Sequence, residues 1–271
     1  MGVGATYKSA TLNLAYGFGF LNPDRGRGDT KYLDLQFHSY GRKIVLDLFG
    51  QFYRGFYLSP KGLAANADEY YLRPDLKVNV IGTSIQYVLN HHKFSYRASF
   101  LQNEWQKKSS GTFLFGLEFY LGWLKADSTI VPTAVDSGTT MLLPKAVNFL
   151  ELGPNVGYAH TFVFGKHIFI TGSASVSLDY GRSVHKNDDR KERIRGFSPD
   201  TFFRLFGGYN SNRWALSVIY ISDGVRLASG KSNKQLSLTT GNFRLNYVYR
   251  FTPGKKTKRS LKSAEKAIEV K

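Results

Sequence analysis

The protein has 271 residues, and its 21 Phe, 17 Tyr and 3 Trp contrast with two Met and no Cys. The absence of Cys excludes a disulfide scaffold, a thiolate nucleophile and a Cys-ligated metal site. No uninterrupted apolar stretch approaches the roughly 20 residues that a membrane helix requires. A membrane β-barrel remains compatible with the composition, because alternating lumen residues dilute the hydropathy of its strands.

The charge balance is strongly basic, with 37 Lys and Arg against 20 Asp and Glu, a formal net charge of +17. Such a balance first indicates a polyanionic partner. Much of the excess, however, falls in a Lys-rich stretch at 252–271 and in a second cluster at 181–196. A nucleic-acid-binding protein more often lines one continuous face with basic and aromatic residues. The sequence therefore predicts no nucleic-acid partner.

Apolar residues alternate with small or polar residues along most of the chain, which is the period of β-strands. In chain order, the apolar rows run over 12–20, 33–37, 44–48, 113–123, 168–178, 214–220 and 243–251. We count twelve strand-like segments. The interleaved positions are rich in Gly, Ser, Ala and Asn with isolated charges, which fits a confined hydrated interior. Aromatic residues recur near strand ends, as in the girdles of membrane barrels. A large soluble β-barrel with an aromatic core is the open alternative.

Tight-turn signals alternate with longer polar connectors, the pattern of outer-membrane barrels. The long connectors are predicted at 22–30, 59–74, 126–144, 181–199 and 223–235. Short and long connectors should alternate along the chain, but counting them forward from Met1 and backward from Phe251 gives conflicting assignments between Asp68 and Gly111. Either Lys93–Trp105 does not span the barrel, or Arg73-Pro74 divides two strands. The forward count also places Met1 on the long-loop side, which requires one further upstream strand.

These patterns predict an all-β fold, a closed antiparallel transmembrane β-barrel of about 12 strands (range 10–14), over residues 1–251. Met1-Gly2-Val3-Gly4 enters a strand pattern with no secretory signal. A barrel needs export, so we expect a signal peptide and an upstream strand to be missing. Residues 252–271 are predicted to form a flexible, Lys-rich periplasmic tail.

Several short stretches in this order carry a family resemblance over nearly the whole chain except the tail. They are Thr30–Gln36, Tyr40–Lys43, Gly55–Leu58, Arg73–Leu76, Lys93–Arg97, Lys107–Gly111 and Gly157–Phe162. As a set they resemble a Bacteroidota family of outer-membrane β-barrels of unknown function. The resemblance implies a location in a Gram-negative outer membrane. It brings no established activity, so no catalytic residues can be transferred.

A two-residue turn at Gly41-Arg42 would place Gln36 opposite Asp47 and His38 opposite Val45, with their polar side chains on one face. We predict a polar lumen patch from these and other interior charges, a hydrogen-bonded network of the kind that fills barrel interiors. If Gly165-Lys166 is the next hairpin turn, His160 is a lone lumen histidine. The predicted patch comprises Asp34, Gln36, His38, Asp47, Gln51, Arg97, Glu118, Arg244 and Arg250.

No nucleophile elbow, zinc-protease motif or phosphate-binding loop occurs, so we predict no catalytic residues, cofactor or metal ligands. The expected role is non-enzymatic: a porin-like small-solute pore or an envelope scaffold in the bacterial outer membrane. Membrane lipid and lipopolysaccharide are the expected partners. An envelope protein or peptidoglycan could also bind the basic tail. The alternative is an outer-membrane lipid hydrolase that uses His38 and Asp47.

Overall fold

The computed structural model describes residues 2–7, 9–17, 26–132, 135, 144–227 and 236–250. They form one antiparallel sheet in which every strand pairs with its sequence neighbours. The strands are β1 (Gly2–Tyr7), β2 (Ala10–Tyr16), β3 (Lys31–Tyr40), β4 (Ile44–Tyr57), β5 (Leu72–Val88), β6 (Ser110–Lys125), β7 (Ala146–Phe164), β8 (Ile168–Lys186), β9 (Lys191–Asn210), β10 (Trp214–Arg226) and β11 (Ser237–Tyr249). The predicted tail lies outside the described residues.

The all-β class and the antiparallel order are confirmed, with eleven strands among the described residues in place of the twelve predicted segments. The difference arises at Lys93–Trp105, hereafter the inserted segment, which contains a short helical turn at Arg97–Leu101. β5 meanwhile continues through Arg73-Pro74 from Leu72 to Val88. The first of the two alternatives is therefore correct. No helix in the described ranges is long and apolar enough to cross a membrane.

The sheet curves into a half-barrel whose interior is crossed by side-chain hydrogen bonds. Tyr120 on β6 donates to Asp223 on β10 at 3.2 Å, and Asn242 on β11 donates to Gln36 on β3 at 3.0 Å. Within the described residues, β1 and β11 each pair with one strand, so backbone pairing leaves a seam between them. Because neighbours alternate in direction, the first and eleventh strands run parallel. A cavity of about 730 Å³ lies along this seam.

Two predicted hairpin registers are wrong. His38 pairs with Asp47, and Gln36 pairs with Phe49, because the two turn residues are Arg42-Lys43, closed by Gly41 N–H donating to the Ile44 oxygen at 2.8 Å. The partners on β4 are shifted by two residues from the predicted ones, so each side chain remains on the predicted face of the sheet. His160 pairs with Gly172, a shift of one residue. Since successive strand residues point to opposite faces, His160 lies on the outer side, contrary to the predicted lumen position.

The predicted long connector at 181–199 is also wrong, because β8 continues to Lys186 and β9 starts at Lys191. The charged residues here were interpreted as a loop. They belong instead to a strand pair whose register is continuous from Ile168↔Tyr209 to Lys186↔Lys191. Polar residues are compatible with these strand ends, because every second side chain there is exposed. The β8–β9 pair is thereby long enough to position acidic side chains deep in the interior.

Two apolar clusters close the ends of the interior. At the tight-turn end, Phe94, Tyr96 and Phe100 of the inserted segment pack with Tyr40 and Phe206. At the long-loop end, a second cluster includes Val147, Phe149 and Leu227 and takes in Ile130 from the β6–β7 connector. Between the two clusters, the inward side chains are mostly polar. This middle layer holds the candidate site.

Gly116 marks the closest approach of β5 and β6 beside that polar layer. A Cβ at this position would overlap the backbone oxygen of Ile85 and lie 2.9 Å from Asn155 Oδ1. We expect Gly116→Ala to lower the free energy of unfolding by about 1–3 kcal/mol, since the neighbouring strand must shift. Urea unfolding followed by Trp fluorescence measures this. Gly172→Ala is the control, because a Cβ at Gly172 meets nothing within 4 Å; equal costs would contradict the packing argument.

Candidate functional site

The best-connected polar group surrounds Asp47 on β4. His38 Nδ1 lies 2.6 Å from Asp47 Oδ1, the Tyr40 hydroxyl donates to the same oxygen at 2.9 Å, and Arg204 Nη2 donates to Asp47 Oδ2. All four residues are buried. The β3–β4 register explains the first contact, because it places His38 directly opposite Asp47. We call these four residues the Arg204 cluster.

Arg204 is held from several sides although it is fully buried. Its guanidinium lies 3.8 Å from the centroid of the Phe202 ring and 5.7 Å from that of Tyr96. Nη1 donates to Gln86 Oε1 at 3.2 Å. A buried charge is tolerated when it is paired; both Nη groups of Arg204 have partners, whereas Nε has none among the described residues. The arrangement therefore ties β4, β5 and β9 together across the interior.

Gln86 extends the network toward the long-loop end. Its Nε2 donates to Ser175 Oγ at 2.9 Å and to Asn155 Oδ1 at 3.0 Å. Asn155 Nδ2 then donates to Glu118 Oε2 at 3.1 Å. Each link joins a different pair of strands. The chain of contacts runs from the Arg204 cluster to a group of carboxylates.

Those carboxylates belong to Glu118 on β6, Asp179 on β8 and Asp200 on β9, hereafter the acidic cluster. All three are buried, and one oxygen from each lies within 4.8 Å of the others. Asp223 on β10 lies nearby in the same layer and accepts from the Tyr120 hydroxyl. Carboxylate oxygens are the ligands that hard divalent cations prefer. The acidic cluster is therefore the most chemically distinctive group in the described chain.

Three predicted patch residues lie between the Arg204 cluster and the seam. Gln36 Oε1 accepts from Asn242 at 3.0 Å and from Arg244 at 3.1 Å, and Asp34 accepts from the Tyr53 hydroxyl at 3.1 Å. Gln51 is buried and pairs with Asp34 in the strand register. These contacts connect β3, β4 and β11 and so help to hold the half-barrel curved.

The three arginines expected to serve this patch differ in position. Arg244 reaches it, with Nη2 3.3 Å from His38 Nε2. Arg97 lies in the inserted segment and pairs with Glu104 at 3.2 Å. Arg250 donates to the backbone oxygen of Ser211 at 2.6 Å. Glu118 also lies apart from His38, in the acidic cluster, so the predicted patch is in fact several groups.

Sequence reasoning missed Arg204, Asp179 and Asp200 as site residues. Their signal was a charge at an inward position of an alternating row: Arg204 lies among Phe202, Phe203 and Phe206, and Asp179 follows Ser173, Ser175 and Ser177 with the same period. Asp200 was hidden because the connector was predicted to extend to Pro199. A correct assignment of β9 would have made the acidic residue visible as an inward charge.

The geometry around His38 bears on the hydrolase alternative. One ring nitrogen faces Asp47 and the other faces Arg244, while Phe100 packs edge-on against the ring at 5.1 Å. A catalytic His needs a ring nitrogen that accepts a proton from a nucleophile. The arrangement seen here anchors the inserted segment and the neighbouring strands. It offers no specific support for lipid hydrolysis.

A comparison with known families matches residues 1–251 to DUF4421, a domain of unknown function. The chain belongs to this family. The match includes every strand of the half-barrel and both polar clusters, so these features fall inside the family domain. No curated protein matches the chain. The DUF4421 match assigns no activity, and the functional argument therefore depends on the geometry.

Proposed function

We propose that this DUF4421 protein is an integral outer-membrane β-barrel with a filled lumen, which acts as an envelope scaffold. One observation carries the proposal: the strands expose large apolar side chains outward and bury polar ones inward. On β6, for example, Phe115 and Leu117 are 49% and 54% exposed while Glu118 is 4% exposed. Soluble monomers rarely expose a large contiguous apolar surface, whereas membrane barrels require one.

Aromatic pairs at both ends of the outward surface support the membrane orientation. Tyr209 stacks on Trp214 with centroids 4.6 Å apart near the tight turns, and Tyr180 meets Phe197 at 5.3 Å toward the long loops. From Ile168 to Tyr180, β8 would rise about 30 Å at a typical barrel tilt. This span is comparable to a membrane hydrocarbon core. The aromatic residues would then lie at the two interfaces.

Apart from the cavity along the seam, the interior is filled, which favours a scaffold over an open pore. Phe94, Tyr96 and Phe100 close one end, the cluster around Phe149 and Leu227 closes the other, and the polar networks lie between them. A hydrated path would need this packing to open. Dense cross-lumen hydrogen bonding stabilises a single shape, which suits a protein that presents its rim to partners.

The exposed β8–β9 hairpin provides a candidate contact for lipopolysaccharide. Arg190, Lys191, Arg193 and Arg195 are exposed on β9 and its approach. Guanidinium and ammonium groups bind phosphate through charge-assisted hydrogen bonds. We expect this hairpin at the long-loop rim to contact lipid phosphates, in keeping with the proposed membrane location.

The proposal is tested by fractionation and by conductance. We expect the expressed protein to float with outer-membrane vesicles and to resist extraction by alkaline carbonate, because its outer surface is apolar. In planar bilayers, the purified protein should give no conductance steps. Recovery in the soluble fraction would overturn the membrane assignment. Regular conductance steps, absent from a mock preparation, would overturn the scaffold role and establish a pore.

A further inference from the structure

The acidic cluster differs from the Arg204 cluster in how its carboxylates are satisfied. Asp47 receives hydrogen bonds from Arg204 and Tyr40 and lies against His38. Asp179 is fully buried, and in the described structure neither of its oxygens has a hydrogen-bond partner. One oxygen of Asp200, Oδ2, is also without a partner there. Within the same interior, the Asp47 carboxylate is therefore paired with a cationic group, whereas the Asp179 carboxylate is not.

Unpaired buried carboxylates are costly for two reasons. Each loses its hydration, and the charges repel one another strongly at short range in an environment of low dielectric constant. Within the described ranges, no Lys or Arg forms an ion pair with Glu118, Asp179 or Asp200. A bound cation would remove both costs.

The backbone brings these oxygens together. β8 places Ser177 and Asp179 on the same inward row, and Ser177 pairs with Asp200 across the strands. Ser177 Oγ is buried and makes no well-formed hydrogen bond among the described residues, and its hydroxyl lies beside the carboxylates of Glu118 and Asp179, so it is a further oxygen of this group. Gly153 pairs with Glu118, and a Cβ there would overlap Asp179 Oδ1. The glycine therefore allows the carboxylate to occupy this position.

We propose that Glu118, Asp179 and Asp200 bind a hard divalent cation, with Ca²⁺ as the best match, inside the half-barrel. Ca²⁺ accepts several carboxylate and neutral oxygens in flexible geometry, and Ser177 would supply a neutral one. Mg²⁺ retains its water more strongly and demands a near-octahedral geometry, so it fits a site built from several protein oxygens less well. The cation would join β6, β8 and β9 at a level between the two apolar clusters.

The test uses the full chain purified in detergent, stripped with EDTA and titrated with Ca²⁺. We expect one tightly held Ca²⁺ per chain by elemental analysis. The midpoint of thermal unfolding should rise by about 5–10 °C at a hundredfold excess over Kd. NaCl at matched ionic strength should not reproduce the rise. An equal rise in NaCl, or no rise and no retained Ca²⁺, would overturn the proposal.

Asp179→Asn identifies the site, with Asp34→Asn as the matched control at another interior carboxylate. Asp179→Asn should abolish the Ca²⁺-dependent rise, yet in EDTA it should be at least as stable as the native protein, because repulsion is relieved. Asp34→Asn should retain the full rise. If Asp179→Asn does not fold, Glu118→Gln provides the same comparison. A Ca²⁺ response that survives these cluster substitutions would refute binding at this position.

Discussion

Arg204→Met is expected to lower the free energy of unfolding by about 3–5 kcal/mol, because it leaves the buried carboxylate of Asp47 without its strongest partner. Methionine fills much of the arginine volume, so loss of packing contributes little. The hydrogen bond to Gln86 and the contacts with the Phe202 and Tyr96 rings are lost as well. Urea unfolding of the purified protein, followed by Trp fluorescence, measures the change.

A double-mutant cycle separates the ion pair from the other contacts of Arg204. Asp47→Asn keeps a hydrogen-bonding group beside His38 and Tyr40 but removes the charge. The Arg204→Met/Asp47→Asn protein should be more stable than the sum of the single changes predicts, by roughly 0.5–3 kcal/mol. Arg182→Met, at an exposed position of β8, should change stability by less than about 0.5 kcal/mol. Additive effects in the cycle would show that the pair is not coupled.

The alternating rows were sufficient to predict the strand class, because period-two burial is a local property of each segment. The outward row from Phe113 to Trp123 is apolar at every second position and lies within β6 in the structure. Loop boundaries were harder to predict, since charged residues occur both in loops and on exposed strand faces. The β8–β9 pair shows this: Arg182 and Arg195 are cross-strand partners in a stretch that resembled a connector.

Register depends on turn geometry, and one extra turn residue changes which side chains face the interior. The turn after Phe164 has three residues, Gly165 to His167, where Gly165 and Lys166 adopt positive φ angles of 56° and 73°. Glycine predicts such a conformation, but lysine does so only weakly. The alternation within β7 also indicates the outward position of His160, because Val156, Tyr158 and Phe162 lie on the same row and are exposed. The error came from inferring the face of His160 from the assumed turn.

The contacts that define the site were beyond a local analysis, because they join distant parts of the chain. Asp47 and Arg204 are separated by 157 positions, and Tyr120 and Asp223 by 103. Their meeting depends on the stagger between neighbouring strands and on the curvature accumulated over several of them. Sequence identified Asp47 as an inward polar residue and could not identify its partner.

The two polar clusters divide the interior by charge. The Arg204 cluster joins strands through a matched ion pair, whereas the acidic cluster concentrates negative charge from β6, β8 and β9. Asn155 and Gln86 connect them by hydrogen bonds of 3.0–3.1 Å. A cation in the acidic cluster would orient Glu118 and thereby Asn155. Occupancy of the acidic cluster would therefore act on the hydrogen bonds that reach the Arg204 cluster through Gln86.

Leu117→Arg provides the most direct test of what surrounds the half-barrel. Leu117 lies near the middle of β6, is 54% exposed and pairs with Ile85 and Pro154 on the neighbouring strands. In lipid, an arginine at this depth should lower the free energy of unfolding by about 2–4 kcal/mol, whereas near the interface the cost falls to about 0–1 kcal/mol. Reversible urea unfolding from phospholipid vesicles gives both values.

Ile168→Arg is the matched control, because Ile168 is 52% exposed but begins β8 beside a tight turn. Both positions expose a similar fraction of an apolar side chain, so a difference between the two substitutions reports depth in the bilayer and not exposure. A cost at Leu117 that exceeds the cost at Ile168 supports a lipid-facing belt. Costs below about 0.5 kcal/mol at both positions are typical of a surface in water; that result would reject the membrane barrel and favour a soluble fold with an apolar exterior.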